Sequence, residues 1–208
     1  MLCYRRKDLR TFSFQVVNQN VSYLSVLSLD EIPDPERTHF LWGFSKDFGI
    51  ASFRFGVFHT WNRDLMTIMD GMCLYSSVEG HIQQIAGKML SDNHWLDTVY
   101  FPGNLAKLKA AFEDCRQFFE DFGCRVKKSK AGLFAWVDLS PFLKGNVDAR
   151  NEKSLFLQLL NDYKLYIPNG TEFGSRDPGW FRVIFAIKRD HWKEFCRRFN
   201  EFAIKNRE

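Results

Sequence analysis

No run in this 208-residue chain approaches the twenty or so apolar residues that a transmembrane helix needs. Arg5, Arg6 and Lys7 stand near the N-terminus without the apolar core of a secretory signal behind them. Cysteine is scarce and scattered: Cys3, Cys73, Cys115, Cys124 and Cys196 are odd in number, and no pair has metal or redox spacing. Reduced thiols in a soluble, cytoplasmic protein are the expectation, with no membrane partner. The sequons Asn20-Val21-Ser22 and Asn169-Gly170-Thr171 would then go unused. A charge excess of one sign is also missing, since 29 basic residues are interspersed with 25 acidic ones for a net +4. A nucleic-acid partner would call for a concentrated basic face, so none is expected. His81 and His94 each stand alone, and no metal site is expected.

What the chain has in quantity is aromatic carbon, with 22 Phe and 6 Trp inside a hydrophobic content of 45%. A chain of this length buries roughly 70% of its unfolded surface, enough for one substantial core or two small ones. Pro33 and Pro35 mark a loop after a short piece from Leu24 to Leu29. Asn62 caps a predicted helix with Leu65, Ile68, Met69, Met72 and Cys73 on one stripe, a methionine face expected in the core. A second helix is predicted over Val78 to Leu90, with Ile82, Ile85, Ala86 and Met89 inward. From Pro102 to Phe122, Leu105, Leu108, Phe112, Cys115, Phe119 and Phe122 recur at spacings of three and four, with Gly123 as the stop. That helix would run roughly 30 Å, enough to join two lobes.

Beyond it the elements alternate. Gly132 to Leu139 predicts a strand, and Glu152 to Tyr163 a helix that buries Leu155, Phe156, Leu159 and Leu160. Lys164 to Pro168 predicts a short strand before the turn Asn169-Gly170, and Trp180 to Ile187 another. Asp190 is the expected cap of a last helix striped by Trp192, Phe195, Cys196, Phe199 and Phe202. The pattern is α/β.

The stretch Thr38 to Thr60 carries the first candidate site. Phe40-Leu41-Trp42-Gly43-Phe44 reads as a strand buried on both faces, and Phe53 to Phe58 as a second. So few residues join them that they should be antiparallel neighbours. Lys46 would then lie close to Arg54, two cations against buried aromatics, which an anion would relieve. Arg54 and the Ser45 hydroxyl suit a phosphate, and a poorly hydrated amine beside another cation suits a Schiff base. A phosphorylated aldehyde meets both demands, and pyridoxal 5'-phosphate is such a molecule. On spacing alone, solvated turn charges remain the simpler account. A second candidate is Arg182, flanked by Phe181 and Val183 inside a strand. Its planar fork matches a carboxylate, either a ligand's or that of a structural partner such as Asp138.

Ser45-Lys46-Asp47-Phe48-Gly49 followed by Phe53-Arg54-Phe55-Gly56 resembles the cofactor-lysine signature of the class I/II aminotransferases, the fold-type-I pyridoxal-phosphate enzymes. The run Ile32 to His39, the stretch Ala131 to Leu139 and Pro178-Gly179-Trp180-Phe181-Arg182 resemble the branch of proteins similar to 1-aminocyclopropane-1-carboxylate synthase. The similarity runs from about Tyr23 onward. It implies an aspartate aminotransferase-like fold, C-terminal half only: a remnant of the large-domain sheet over 23–112 and the small α/β domain over 113–208, after an unmatched segment 1–22. It implies that Lys46 forms the internal aldimine and moves the substrate α-proton, that Ser45 and Arg54 hold the cofactor phosphate, and that Arg182 binds the α-carboxylate of an amino-acid substrate. Transamination and elimination use the same parts.

Departures bear on this expectation. Gly43 stands where the family often has a serine, and Ser52 where it has Gly or Asn. The Asp-Glu-x-Tyr strand end, whose aspartate pairs with the cofactor ring nitrogen, has no equivalent; Asp30-Glu31 is followed by Ile32-Pro33 in the wrong register. Two alternatives therefore stay open. One is a truncated, inactive member acting as a binding or dimerisation subunit, since the family forms dimers. The other is a module that binds a phosphate ligand through Arg54 without covalent chemistry.

Overall fold

The structure is a computed structural model and describes residues 25–73 and 75–206; the N-terminal segment 1–22 lies outside the described residues. These divide into two compact units, residues 25–105 and 106–206.

In the first unit, β1 (His39–Gly43) and β2 (Gly56–Thr60) form an antiparallel ribbon with Trp42 opposite Val57 and Gly43 opposite Gly56. The expected antiparallel pairing is present, but both strands are displaced from the predicted runs. Phe44 leaves the first strand to open a single helical turn, α1 (Phe44–Asp47), and Ala51–Phe53 forms a 3-10 turn. Burial on both faces does not hold either, since Leu41 is 76% exposed on this two-stranded sheet. A ribbon of two strands has too little surface on either side to cover a continuous apolar run.

Asn62 does cap the next helix, α2 (Arg63–Cys73), accepting a 2.8 Å hydrogen bond from the Leu65 amide. The methionine stripe is not core: no residue of α2 is buried, and Ile68 and Met72 stand out in the open. In α3 (Gly80–Ser91) only Ala86 is fully buried, with Ile82 and Met89 half-buried and Ile85 exposed, against expectation. A short turn α4 (Asn93–Trp95), capped by Asp92, and one π-turn (Leu96–Tyr100) lead into α5 (Phe101–Glu120). The core of this unit is Phe44, Phe48, Ala86, Leu96 and Phe101.

The second unit packs α5, α6 (Ala149–Tyr163) and α7 (Arg189–Asn206) in one core with a three-stranded antiparallel sheet. Its strands are β3 (Arg125–Val126), which no pattern in the sequence announced, β4 (Phe134–Asp138) and β5 (Trp180–Ile184). Period-two alternation splits the sheet cleanly. Ala135 opposite Val183 and Val137 opposite Phe181 face the core, where all four are buried. Trp136 opposite Arg182 and Asp138 opposite Trp180 alternate with them and belong to the other face. The stretch expected as a strand at Lys164 to Pro168 forms no strand, although Leu165 and Ile167 are buried; Pro168 O accepts from the Arg182 amide, and the next residue, Asn169, makes an isolated bridge to Phe181. β5 ends at Ile184 rather than Ile187 because its partner β4 begins at Phe134. Asp190 lies within the first turn of α7 instead of capping it.

The core is aromatic. Phe119, Phe199 and Phe202 are fully buried, and the Phe199 ring lies 5.1 to 5.7 Å from those of Phe118, Phe119, Phe122, Phe142 and Phe202. Cys115 packs there as a small apolar residue, and burial pushes its thiol up to about 12, with the Cys196 thiol as a second, smaller cause.

Candidate functional site

The connection between β1 and β2 is anchored from inside. Phe44 is fully buried, its ring 4.9 Å from that of Phe55, 5.1 Å from that of Phe48 and 4.7 Å from that of Trp42. In α1 the residues Phe44, Asp47 and Phe48 recur at i, i+3 and i+4, the spacing of one helical face. All three are buried. The buried Asp47 carboxylate accepts from the Trp42 indole, and its backbone carbonyl accepts from the Tyr100 hydroxyl at 3.0 Å. Burial, and after it the Asp47 charge, push the Tyr100 phenol above its usual value. Ser45 and Lys46 fall on the opposite side of that turn by the same period, Ser45 half-buried and Lys46 exposed.

Arg54 lies on the same connection. It caps the Ala51–Phe53 turn in the left-handed region (φ 47°, ψ 39°), and its guanidinium donates to the Ala51 carbonyl at 3.3 Å. A residue with a Cβ holds this conformation at a cost of roughly 1–2 kcal/mol. Gly43 and Gly56 close the ladder, and the Phe44 amide donates to Phe55 O at 3.2 Å, so Ser45, Lys46 and Arg54 share one end of the ribbon. The expected crevice around the two cations is absent among the described residues, since both are exposed. An amphipathic turn can bury one face only, and the aromatic plug took it.

In the second unit, Arg182 is not the partner of Asp138. The Asp138 carboxylate is bound by Arg125, directly opposite in register, at 2.6 and 2.9 Å, and by the Ser140 amide at 2.9 Å. Burial pushes this carboxyl up, and the Ser140 and Arg125 bonds outweigh burial and hold it below the usual carboxylate value. A folded value below the unfolded one means stabilisation present above the unfolded pKa of about 3.9 and lost as pH falls through the folded value. Urea midpoints measured from pH 7 to 3 should therefore show the wild type losing its advantage over Asp138→Asn only at the acid end. An advantage that is flat across that range would remove this role.

The Arg182 guanidinium instead lies against two rings, 4.5 Å from the Phe134 centroid and 3.9 Å from that of Phe173. Its Nε is buried without a hydrogen-bond partner among the described residues. Glu152, which the sequence did not single out, is the polar centre of this region. It is fully buried on α6, its Oε1 accepting from Asn169 Nδ2 (3.0 Å), the Thr171 amide (3.1 Å) and Thr171 Oγ1 (2.7 Å), its Oε2 from the Gly179 amide (2.5 Å). In sequence it looks like any acidic residue placed early in a helix, where the dipole favours it. No local signal marks it as buried. Among the described residues no group of three or more His, Cys, Asp or Glu could hold a metal ion, and no helix is long and apolar enough to cross a membrane.

Comparison with known proteins adds what geometry alone leaves open. The chain is 36% identical over 191 residues to the 1-aminocyclopropane-1-carboxylate synthase-like protein 1 of Mus musculus, covering 91% of this chain and 38% of that protein. It is 31% identical over 188 residues to the probable inactive 1-aminocyclopropane-1-carboxylate synthase-like protein 2 of Mus musculus, covering 90% and 32% respectively. The crystal structure of the aromatic aminotransferase from Pyrococcus horikoshii OT3 superposes with a TM-score of 0.70 at 18% identity, covering 93% of this chain and 49% of that one. The chain thus spans about a third of the length of the curated relatives it matches, and about half of a solved aminotransferase fold. The sequence profile described as aminotransferase class I and II matches residues 12–199, so the chain belongs to that family, in the branch of the 1-aminocyclopropane-1-carboxylate synthase-like proteins.

Proposed function

We propose that this chain binds pyridoxal 5'-phosphate through Lys46 and acts on an amino acid by transamination or elimination. The observation that carries this is the placement of an amine, a hydroxyl and a guanidinium on one outward-facing connection whose other side is locked by Phe44, Asp47 and Phe48. The donor set fits the group: Lys46 Nζ suits an aldehyde carbon, while Ser45 Oγ and the Arg54 guanidinium suit a phosphate. The cofactor would supply an electron sink for the substrate's α-carbon. Lys46 Nζ would take and return the α-proton, and Arg182 would hold the α-carboxylate in the plane of its fork. The partners expected are an amino acid and a second subunit of this or a longer family member.

A second reading is favoured by the relative whose name calls it probable inactive. On that reading the chain is a catalytically silent subunit.

The test is reduction with sodium borohydride after adding pyridoxal phosphate to the full chain, with the adduct located by peptide mass. One adduct per chain on Lys46, lost in Lys46→Ala, is the expected result. Arg54→Gln should weaken binding roughly 10- to 100-fold, the worth of a charge-assisted hydrogen bond. Adducts spread evenly over the exposed lysines would overturn the proposal and leave the silent subunit. Phosphate-dependent binding that survives Lys46→Ala would instead indicate a phosphate-ligand module.

A further inference from the structure

We propose that Phe173 is a positioning residue for carboxylate capture: with Phe134 it clamps the Arg182 guanidinium, and buried Glu152 holds the turn that carries it. This deepens the assignment of Arg182 to a ligand carboxylate and rests on it.

Three observations lead here. The first is the setting of Arg182 itself. Phe134 lies diagonally across the β4–β5 ladder from it, on the same sheet face, and Phe173 closes on it from outside the sheet. The guanidinium makes no hydrogen bond or ion pair to a side chain or carbonyl among the described residues, and its Nε is shut away from solvent. A structural arginine would be paired, so this one is held ready for a partner that arrives later.

The second observation is how firmly the Phe173 turn is built. Phe173 ends the 3-10 turn Gly170–Phe173, which closes on Gly174 in the left-handed region (φ 77°). The Glu152 carboxylate takes donors from Asn169 and Thr171 at the start of this turn and from Gly179 just before β5. Gly170 sits so close to the sheet that a Cβ there would come within 2.7 Å of Trp180 O and 3.0 Å of Trp136 Cζ2. A buried, fully hydrogen-bonded carboxyl group and a close-packed glycine thus anchor the turn.

The third is what that anchoring presents. Phe173 is itself 46% exposed, so the turn is not secured in order to bury its ring. What the ring covers is the arginine. Stacking removes rotamer freedom and water from the guanidinium during folding, so neither has to be removed when a ligand binds. A guanidinium stacked on rings keeps its edge for bonding, and a planar carboxylate meets that edge with two parallel bonds.

The experiment is a 15N NMR titration of the full chain with 3-phenylpropanoate, a monocarboxylate without an amine to react elsewhere. The readouts are its affinity and the solvent exchange of the buried Arg182 Nε–H, identified by its absence in Arg182→Lys. Phe173→Leu, which keeps apolar volume but removes the π face, should bind roughly 5- to 30-fold more weakly and exchange faster. Phe173→Tyr should restore both. Because Phe173 is half exposed, these variants should keep their amide spectra outside the turn. If Phe173→Leu binds and exchanges like the wild type while Arg182→Lys abolishes binding, the clamp is wrong and Arg182 keeps its role. If Arg182→Lys binds unchanged, or the wild type shows no saturable binding, the carboxylate assignment falls and the clamp with it.

Discussion

Replacing Glu152 with alanine is expected to destabilise the second unit by about 3–5 kcal/mol, because several buried donors lose their common acceptor at about 1–3 kcal/mol each, a sum that relaxation reduces. Four donors converge on this fully buried carboxylate, two of them backbone amides. Each donor left without a partner in the interior costs about 1–3 kcal/mol, and the sum is not additive because the turn can shift and water can enter. Glu152→Gln tests the cause separately. It keeps the volume and one oxygen but turns an amide donor toward one of the existing donors, so roughly half the loss should remain. Urea unfolding followed by tryptophan fluorescence suits the question, since Trp136, Trp180 and Trp192 all lie in this unit. A Glu152→Ala loss below about 1 kcal/mol would mean the loops hold themselves without the carboxylate.

Phe199→Ala should cost as much by a different route, about 3–5 kcal/mol for a fully buried phenylalanine. Here the loss is transfer free energy plus a cavity that the neighbours cannot fill, because five rings stand within 5.7 Å of its centre and each is braced by others. Edge-to-face geometry adds to the area term: the Phe199 ring meets Phe119 at 77° and Phe142 at 87°. Phe199→Leu, which keeps much of the volume, should cost clearly less. Ile204→Ala on the same helix is the control, since Ile204 is exposed and its loss should stay within about 0.5 kcal/mol. Denaturant midpoints for the three variants check the ranking. If Phe199→Ala and Ile204→Ala proved alike, the aromatic cluster would not be what holds α5 and α7 to the sheet.

These two residues also mark where sequence pattern works and where it stops. Phe199 was legible: it sits on the Trp192–Phe202 stripe at helical spacing, and every residue that stripe places inward is buried or half-buried. The α5 stripe behaves the same way, with Leu108, Phe112, Cys115 and Phe119 all in the core. The α2 stripe has equally regular spacing and stays uncovered, since periodicity says which residues share a face and nothing about what lies against it. Strand ends were misplaced for a related reason. β2 and β5 stop where their partners stop, and a ladder's length is a property of two chain segments rather than one.

The residue types of the two candidate sites, Ser45, Lys46 and Arg54 in one and Arg182 in the other, could be named from the chain alone, and the stretches around them resemble the family that the profile match over residues 12–199 shows. Their surroundings could not. Whether Lys46 and Arg54 are dry or hydrated depends on which side of a four-residue turn the aromatic residues claim, and they claimed the side of Phe44, Asp47 and Phe48. Whether Arg182 pairs with Asp138 depends on strand register, which puts Arg125 opposite that carboxylate and leaves Arg182 to two rings. Helical and strand periods are written locally, because each repeats within a few neighbouring residues. Hydration and charge pairing are set by segments that meet only when the chain folds, as Glu152 does with Gly179, 27 positions away.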